Sequence, residues 1–248
     1  MDQLQVSPTA TRLYLCRHGE TALNRLGKLQ GARVDPPLDE TGRDQARSLA
    51  RELTGCGASI VASSTLQRAQ QTAAAVAELL PVPPRVLAMP ELNEIDFGEV
   101  ADGMPADAAQ ARIEPVWRAW ARGDVSARAD GGESLRQVLR RFAKGAQRLL
   151  AEAGPGGRVV AVTHSGLLDV VLAAALAFVA RGCGVAEEHW WTHAPETWNL
   201  LAARHMREDN ACVNELVFSG PTLTALVDVP RVAYRRFWVW DHGAGANK

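Results

Sequence analysis

Arg17 and His18 stand side by side in the run Leu15-Cys16-Arg17-His18-Gly19-Glu20-Thr21, where the first apolar stretch of the chain gives way to polar residues. A second histidine, His164, follows another apolar run, Val159-Val160-Ala161-Val162-Thr163. A neutral imidazole, with an ordinary pKa of about 6.5, attacks phosphorus at neutral pH without a helper base. Phosphoryl transfer then asks mainly for positioning and for charge stabilisation at the equatorial oxygens. Arg17 is placed for that task. Arg68, near the start of an expected helix, adds a planar guanidinium fork where the helix dipole and its N–H groups already favour an anion. The expected constellation is two histidines and two arginines around one phosphate. The five positions from Arg17 to Thr21 would arise together by chance in roughly one chain of this length in ten thousand, so the motif is specific.

Phosphoryl transfer also needs a proton for the leaving oxygen and a base for the incoming water. Glu94, in Glu91-Leu92-Asn93-Glu94-Ile95-Asp96-Phe97-Gly98, is the best-placed acid, with Asp96 and Glu91 as competing assignments that spacing leaves open. A carboxyl group in a partly dry pocket holds its proton to higher pH and can then act in reverse on water.

These groups need elements that converge. Leu13-Tyr14-Leu15-Cys16 reads as a buried strand, and Val159 to Val162 as a central parallel one. Between them, the pattern gives a helix starting at Thr41 with Asp44 as its capping partner, its inner face made of Ala46, Leu49, Ala50 and Leu53. A strand over Ser59 to Ala62 follows. Ser63-Ser64 is then expected to cap a helix carrying Ala69, Ala73, Val76, Ala77 and Leu80 inward. Pro81, Pro83 and Pro84 stop that helix ahead of a third strand, Val86-Leu87-Ala88. Residues 100–130 look less regular, with a helix that carries Trp117 and Trp120. Gly131 to Ser134 opens a long helix with Leu135, Val138, Leu139, Phe142, Leu149 and Leu150 inward, and a helix from Leu167 follows the second histidine. Strands near 213–218 and 223–227 are spaced to form a hairpin at a sheet edge. Alternating strands and helices give an α/β class, a three-layer α/β/α sandwich with a mostly parallel central sheet and an antiparallel edge. In such sheets ligands bind at the carboxyl ends of the strands, which is where both histidines fall.

The 248 residues read as one domain, 1–248, with lid-like insertions near 100–130 and 180–210. Lysine plus arginine (27) nearly balances aspartate plus glutamate (28), so no global field draws the chain to nucleic acid or an anionic membrane. Cys16, Cys56, Cys183 and Cys212 are scattered without a C-x-x-C pair, and Cys16 lies in an expected core strand. Together with a polar start that lacks signal-peptide features, this points to a cytoplasmic setting. The apolar stretch Leu167 to Ala180 contains Asp169 and is too short to span a bilayer. His189 and His193 have a metal-compatible separation but no evident third ligand, so packing is the expected role and no metal is expected. Trp117, Trp120, Trp190, Trp191 and Trp198 are expected to fill core, with an apolar wall over the crevice as the other reading.

The chain resembles the histidine phosphatase superfamily, in its phosphoglycerate mutase-like branch. The likeness rests on Arg17-His18-Gly19-Glu20-Thr21 with Asn24, Gln30-Gly31 before Pro37-Leu38, Ser63-Ser64 with Arg68-Ala69 and Gln71-Thr72-Ala73, Leu92-Asn93-Glu94, Gly132-Glu133-Ser134, and Thr163-His164-Ser165-Gly166. It implies that His18 becomes a phosphohistidine, that Arg17, Arg68 and His164 hold the phosphate, and that Glu94 is the proton donor. It further implies that Asn24, Gln30, Thr21 and Ser165 face the substrate, and that hydrolysis requires no metal or organic cofactor. Where the family often has Trp-Glu-Gly, this chain has Val100-Ala101-Asp102, and Asp169 stands where an arginine is common. Both departures bear on the substrate.

The leading expectation is a phosphomonoesterase acting on a small phosphorylated metabolite, because the connection from Glu94 to Gly132 is short compared with the mutases the chain resembles. A bisphosphoglycerate-dependent phosphoglycerate mutase is the alternative enzyme. A phosphohistidine protein phosphatase is disfavoured by the expected lids, and a non-catalytic phosphate-binding module is disfavoured because every expected group is present. A homodimer through the strands at 213–227 is an expectation of its own.

Overall fold

The structure is a computed structural model that describes residues 9–99, 103–180, 210–219 and 222–228. Its strands are β1 (Thr11–Arg17), β2 (Ile60–Ser63), β3 (Arg85–Ala88), β4 (Arg158–Thr163), β5 (Val213–Ser219) and β6 (Thr222–Asp228). The helices are α1 (Ala22–Arg25), α2 (Glu40–Leu53), α3 (Gln67–Leu79), α4 (Ala106–Ala121), α5 (Leu135–Ala153) and α6 (Ser165–Ala180). One six-stranded sheet has the order β3-β2-β4-β1-β5-β6. Its first four strands are parallel, and β5 and β6 run antiparallel at the far edge.

Alternation along the strands sorts side chains to two faces. Leu13, Leu15, Val159 and Ala161 pack with residues of α5 and α6 in one core, which also takes Ile113 and Trp120 of α4. Tyr14, Cys16, Val160 and Val162 pack with residues of α2 and α3 in the other. Three layers result, as expected. The inward faces read from the helical period are the buried ones: Ala46, Leu49, Ala50 and Leu53 on α2, and Leu135, Val138, Leu139, Phe142 and Leu149 on α5. Ser134 caps α5 through a reciprocal box with Gln137.

Helix starts differ from expectation in three places. The N-cap of α2 is Asp39, whose Oδ1 accepts from Gly42 N–H at 2.8 Å, so Thr41 lies inside the first turn. A carboxylate two residues earlier meets the free N–H groups and claims the cap. Ser63 ends β2 instead of capping α3, whose N-cap is Leu66 without a side-chain bond; Ser64 Oγ accepts from Leu66 N–H one step ahead of it. Helix α6 begins at Ser165, directly after His164.

Helix α4 accommodates Pro115 in its interior, and the expected hairpin at 213–228 is present as β5 and β6. The expected insertion at 180–210, with His189, His193, Trp190, Trp191 and Trp198, lies outside the described residues, as do Val100-Ala101-Asp102. Among the described residues, no helix is long and apolar enough to cross a membrane.

Candidate active site

The parallel pairing of β1 with β4 aligns Arg17 with Thr163, which brings the residues that follow, His18 and His164, side by side. His18 N–H donates to the Thr163 carbonyl at 3.0 Å, fixing the step between the two strand ends. The two imidazole centroids are 5.0 Å apart. Gly19 packs directly on the first turn of α2: a Cβ there would come within 2.3 Å of the Gly42 carbonyl oxygen. Its N–H donates to Thr72 Oγ1 of α3 at 3.1 Å. Glycine is required here because helix backbone occupies the space of a side chain.

His18 is buried, and its Nδ1 lies 2.6 Å from the Gly19 carbonyl oxygen. A carbonyl only accepts, so Nδ1 carries the proton and Nε2 keeps its lone pair. Arg68 Nε approaches that Nε2 at 3.3 Å. Burial, then the guanidiniums of Arg68 and Arg17, hold the His18 imidazole well below its ordinary value. The imidazole is therefore neutral, with the proton on Nδ1 and the lone pair on Nε2.

Arg68 is fully buried at the start of α3 and is oriented by the loop after α1. Its Nη1 donates to the Val34 carbonyl at 2.9 Å and its Nη2 to the Gly31 carbonyl at 3.2 Å, with Asp35 Oδ1 at 3.8 Å from Nη1. Arg17, at the end of β1, is also buried. His164 has no solvent exposure, and neither of its ring nitrogens has a hydrogen-bond partner among the described residues. Leaving a buried polar atom unsatisfied costs about 1–3 kcal/mol, a cost that an incoming phosphate oxygen would relieve. Burial, then Arg68 and His18, keep this imidazole neutral as well.

Glu94 reaches the same site from the loop after β3. Its Oε1 accepts from Ile95 and Leu167 N–H at 2.9 Å each, and its Oε2 from Gly166 N–H at 3.1 Å. The carboxyl group thus sits on the first turn of α6. It can do so because residue 166 is glycine: a Cβ there would lie 2.7 Å from Glu94 Oε1. Burial raises the Glu94 pKa, against the lowering influence of the Ile95 N–H, Arg68 and the two α6 N–H groups. The competitors lie elsewhere. Asp96 is ion-paired to Arg33, and Glu91 lies against Gly145 of α5.

Thr21, Asn24 and Gln30 form a cluster beside the cage. Thr21 is fully buried; its Oγ1 accepts from Asn24 N–H at 3.2 Å and lies 2.9 Å from Gln30 Oε1, while Asn24 Oδ1 accepts from Thr21 N–H at 3.2 Å. With its oxygen held by Thr21, Gln30 keeps a buried Nε2 that has no partner among the described residues. Ser165, the first residue of α6, is partly exposed.

Several supports lie outside the candidate site residues. Asn93 Oδ1 accepts from Ser64 Oγ at 2.8 Å and from Thr65 N–H at 2.9 Å, tying the turn after β2 to the acid loop. Thr163 Oγ1 donates to the Leu92 carbonyl at 2.7 Å. Arg141 of α5 pairs with Glu133 and donates to the Glu94 carbonyl at 3.1 Å. Asn93 and Glu133 lie inside short motifs, whereas Arg141 reads as one more surface charge on a helix. Trp120 is buried, its Nε1 donating to the Ala127 carbonyl at 2.7 Å, so it fills core as expected. Trp117 meets Phe97 at 6.2 Å between ring centroids and lines, with Phe97 and Asp96, a shallow cleft. Among the described residues, no group of three or more histidine, cysteine, aspartate or glutamate side chains could hold a metal ion.

Comparison with known proteins decides the family. The family model of the histidine phosphatase superfamily (branch 1) matches residues 13–183. The chain belongs to that superfamily. It is 36% identical over 169 residues to the bifunctional protein Rv2228c of Mycobacterium tuberculosis, a match covering 68% of this chain and 45% of that protein, so it spans less than half of that relative's length. It is 31% identical over 170 residues to the probable phosphoglycerate mutase GpmB of Yersinia pestis, covering 68% and 77% of the two chains. Among solved structures, a putative alpha-ribazole-5'-P phosphatase from Escherichia coli superposes with a TM-score of 0.65 at 26% identity, covering 89% of this chain and 96% of that one. A mycobacterial glucosyl-3-phosphoglycerate phosphatase superposes with a TM-score of 0.60 at 28% identity, covering 83% and 92%. This histidine phosphatase thus shares its fold with enzymes named for small phosphorylated metabolites.

Proposed function

We propose that this histidine phosphatase hydrolyses the phosphomonoester of a small metabolite through a phosphohistidine at His18. The observation that carries the reading is the pairing of a tautomer-fixed imidazole, His18, with a second buried imidazole 5.0 Å away whose ring nitrogens lack partners. In the first step His18 Nε2 bonds to phosphorus as the ester P–O bond breaks, and Glu94 gives its proton to the leaving oxygen. In the second, water bonds to phosphorus as the N–P bond breaks, and the Glu94 carboxylate takes the water's proton. Arg17, Arg68 and His164 hold the equatorial oxygens through both steps. Asn24 and Gln30 face the leaving group, with Thr21 orienting both, and Ser165 completes the rim. Such chemistry is self-contained, and the partner is the phosphorylated substrate itself. The two superposed phosphatases, named for a ribazole phosphate and a glucosyl phosphoglycerate, support a metabolite-sized substrate.

The test is hydrolysis of a chromogenic aryl phosphate in chelator between pH 5 and 8, with rapid acid and alkaline quenching of a labelled ester. An acid-labile, alkali-stable adduct lost in His18→Ala supports the reading; a folded protein with no turnover and no adduct overturns it. The likeness to a probable phosphoglycerate mutase favours one second reading, return of the phosphoryl group to a phosphoglycerate. Conversion of 3-phosphoglycerate to the 2-isomer faster than phosphate release would select it.

A further inference from the structure

Arg33 lies in the loop that orients Arg68, yet its own side chain points across the site. Its Nε donates to both carboxylate oxygens of Asp96, at 2.9 and 3.1 Å, and its Nη2 to the Gly131 carbonyl at 2.6 Å. The two loops it joins come from strands at opposite ends of the parallel set: 31–35 follows β1, and Asp96 follows β3, with β2 and β4 in between. At the usual spacing of neighbouring strands that is a span of about 14 Å, over the strand ends that carry Arg68 and His164. On the near side, the flanking residues Gly31 and Val34 present their carbonyls to Arg68. On the far side, Asp96 N–H donates to Glu133 Oε2 at 3.0 Å, and Glu133 pairs with Arg141, whose Nη2 reaches the Glu94 carbonyl. A continuous polar path therefore runs from the phosphate-holding arginine to the backbone of the acid.

We propose that the Arg33–Asp96 ion pair is a latch across the mouth of the site, a positioning pair that holds the Glu94 loop in register with Arg68. The proposal rests on Glu94 acting as the acid. Stability is a poor explanation for the pair. Both side chains are about one-third exposed, at 36% and 28%, and ion pairs in such settings contribute about 0–1 kcal/mol. What the shared Nε–H bond to the Asp96 carboxylate and the Nη2 bond to the Gly131 carbonyl supply instead is geometry, since a planar guanidinium held at two nitrogens fixes direction as well as distance. A small misplacement of an acid is costly for the step that needs its proton and harmless for a step that does not.

That asymmetry supplies the test. Phenyl phosphate leaves as a strongly basic phenolate and needs the proton; p-nitrophenyl phosphate leaves as a far weaker base and scarcely does. Arg33→Gln and Asp96→Asn should each lower kcat on phenyl phosphate about 10-fold and on p-nitrophenyl phosphate less than about twofold, with the double variant no worse than either single one. Hydrogen exchange of the Gly166 and Leu167 amides, which donate to Glu94, should quicken in Arg33→Gln. Equal losses on both esters, additive losses, or no change in either kinetics or exchange would overturn the latch. If the parent protein hydrolyses neither ester, the catalytic reading fails by itself, and exchange alone decides: faster exchange upholds the latch, unchanged exchange removes it.

Discussion

The phosphate cage and the α4 region obey different physics. In the cage, His18, Arg68, His164 and Glu94 are all buried; Arg68 and Glu94 are held by main-chain atoms of other elements, and His18 by the carbonyl of its neighbour Gly19. Around α4, Ile113 and Trp120 fill core while the charges, such as Arg118 with Glu114 one turn earlier, remain at the surface. Burial shifts the ionisation of His18, His164 and Glu94 in the directions that the proposed reaction needs. Solvent screens the α4 charges, so they have little leverage on anything. The lesson is that position in the fold, more than residue type, separates a reactive charge from a decorative one.

The sharpest way to break this contrast is His18→Ala. Loss of the nucleophile should reduce kcat on an aryl phosphate by at least about 10⁴, with the circular dichroism spectrum preserved. Next comes Glu94→Gln, expected to cost about 10²–10³ in kcat. It also has a pH signature. The raised Glu94 pKa keeps its proton above the usual carboxyl range, and the rate falls as pH rises through it; the lowered His18 pKa keeps the imidazole neutral below 6.5, and the rate falls only once pH drops through that lowered pKa. The parent protein should therefore favour acidic pH, and a pH–rate profile of Glu94→Gln should lose the alkaline limb.

Gly166→Ala should give about a tenfold loss in kcat on phenyl phosphate, because the new methyl group would press on Glu94 Oε1. Stability should report the cage too. His18 and His164 have folded-state pKa values below the unfolded 6.5, so the unfolded chain binds more protons as pH falls below 6.5, and stability present above that pH is lost. Each contributes a slope of up to about 1.4 kcal/mol per pH unit, and urea titrations of His164→Gln should show the slope reduced by one group. The smallest effect belongs to α4: Arg118→Ala should change stability by under about 0.5 kcal/mol and leave turnover unchanged. A large effect there would erase the contrast.

The strands, the helical inner faces and the two-histidine pocket are legible in the sequence because they obey local rules. Apolar periodicity marks the faces of α2 and α5, and the motif from Arg17 to Thr21 marks a strand end. Local rules fail where several candidates compete for one role. Asp39, Thr41, Ser63 and Ser64 are all competent caps; the observed start at Asp39 depends on where the chain enters α2, and Ser64 is drawn away to Asn93. Glu94 is one of three neighbouring carboxylates, and Arg33 and Arg141 resemble any other arginine until their partners, distant in sequence, are in place.

The chain's own order of residues pointed to the reaction class, since a histidine at each of two strand ends, one of them beside an arginine, suits phosphoryl transfer. Only the tertiary structure set how far each carboxyl group stands from the site and joined Arg33 to Asp96. The pairing of β1 with β4 and the glycine at 166 set those distances, and a contact between residues far apart in sequence has no local pattern to announce it.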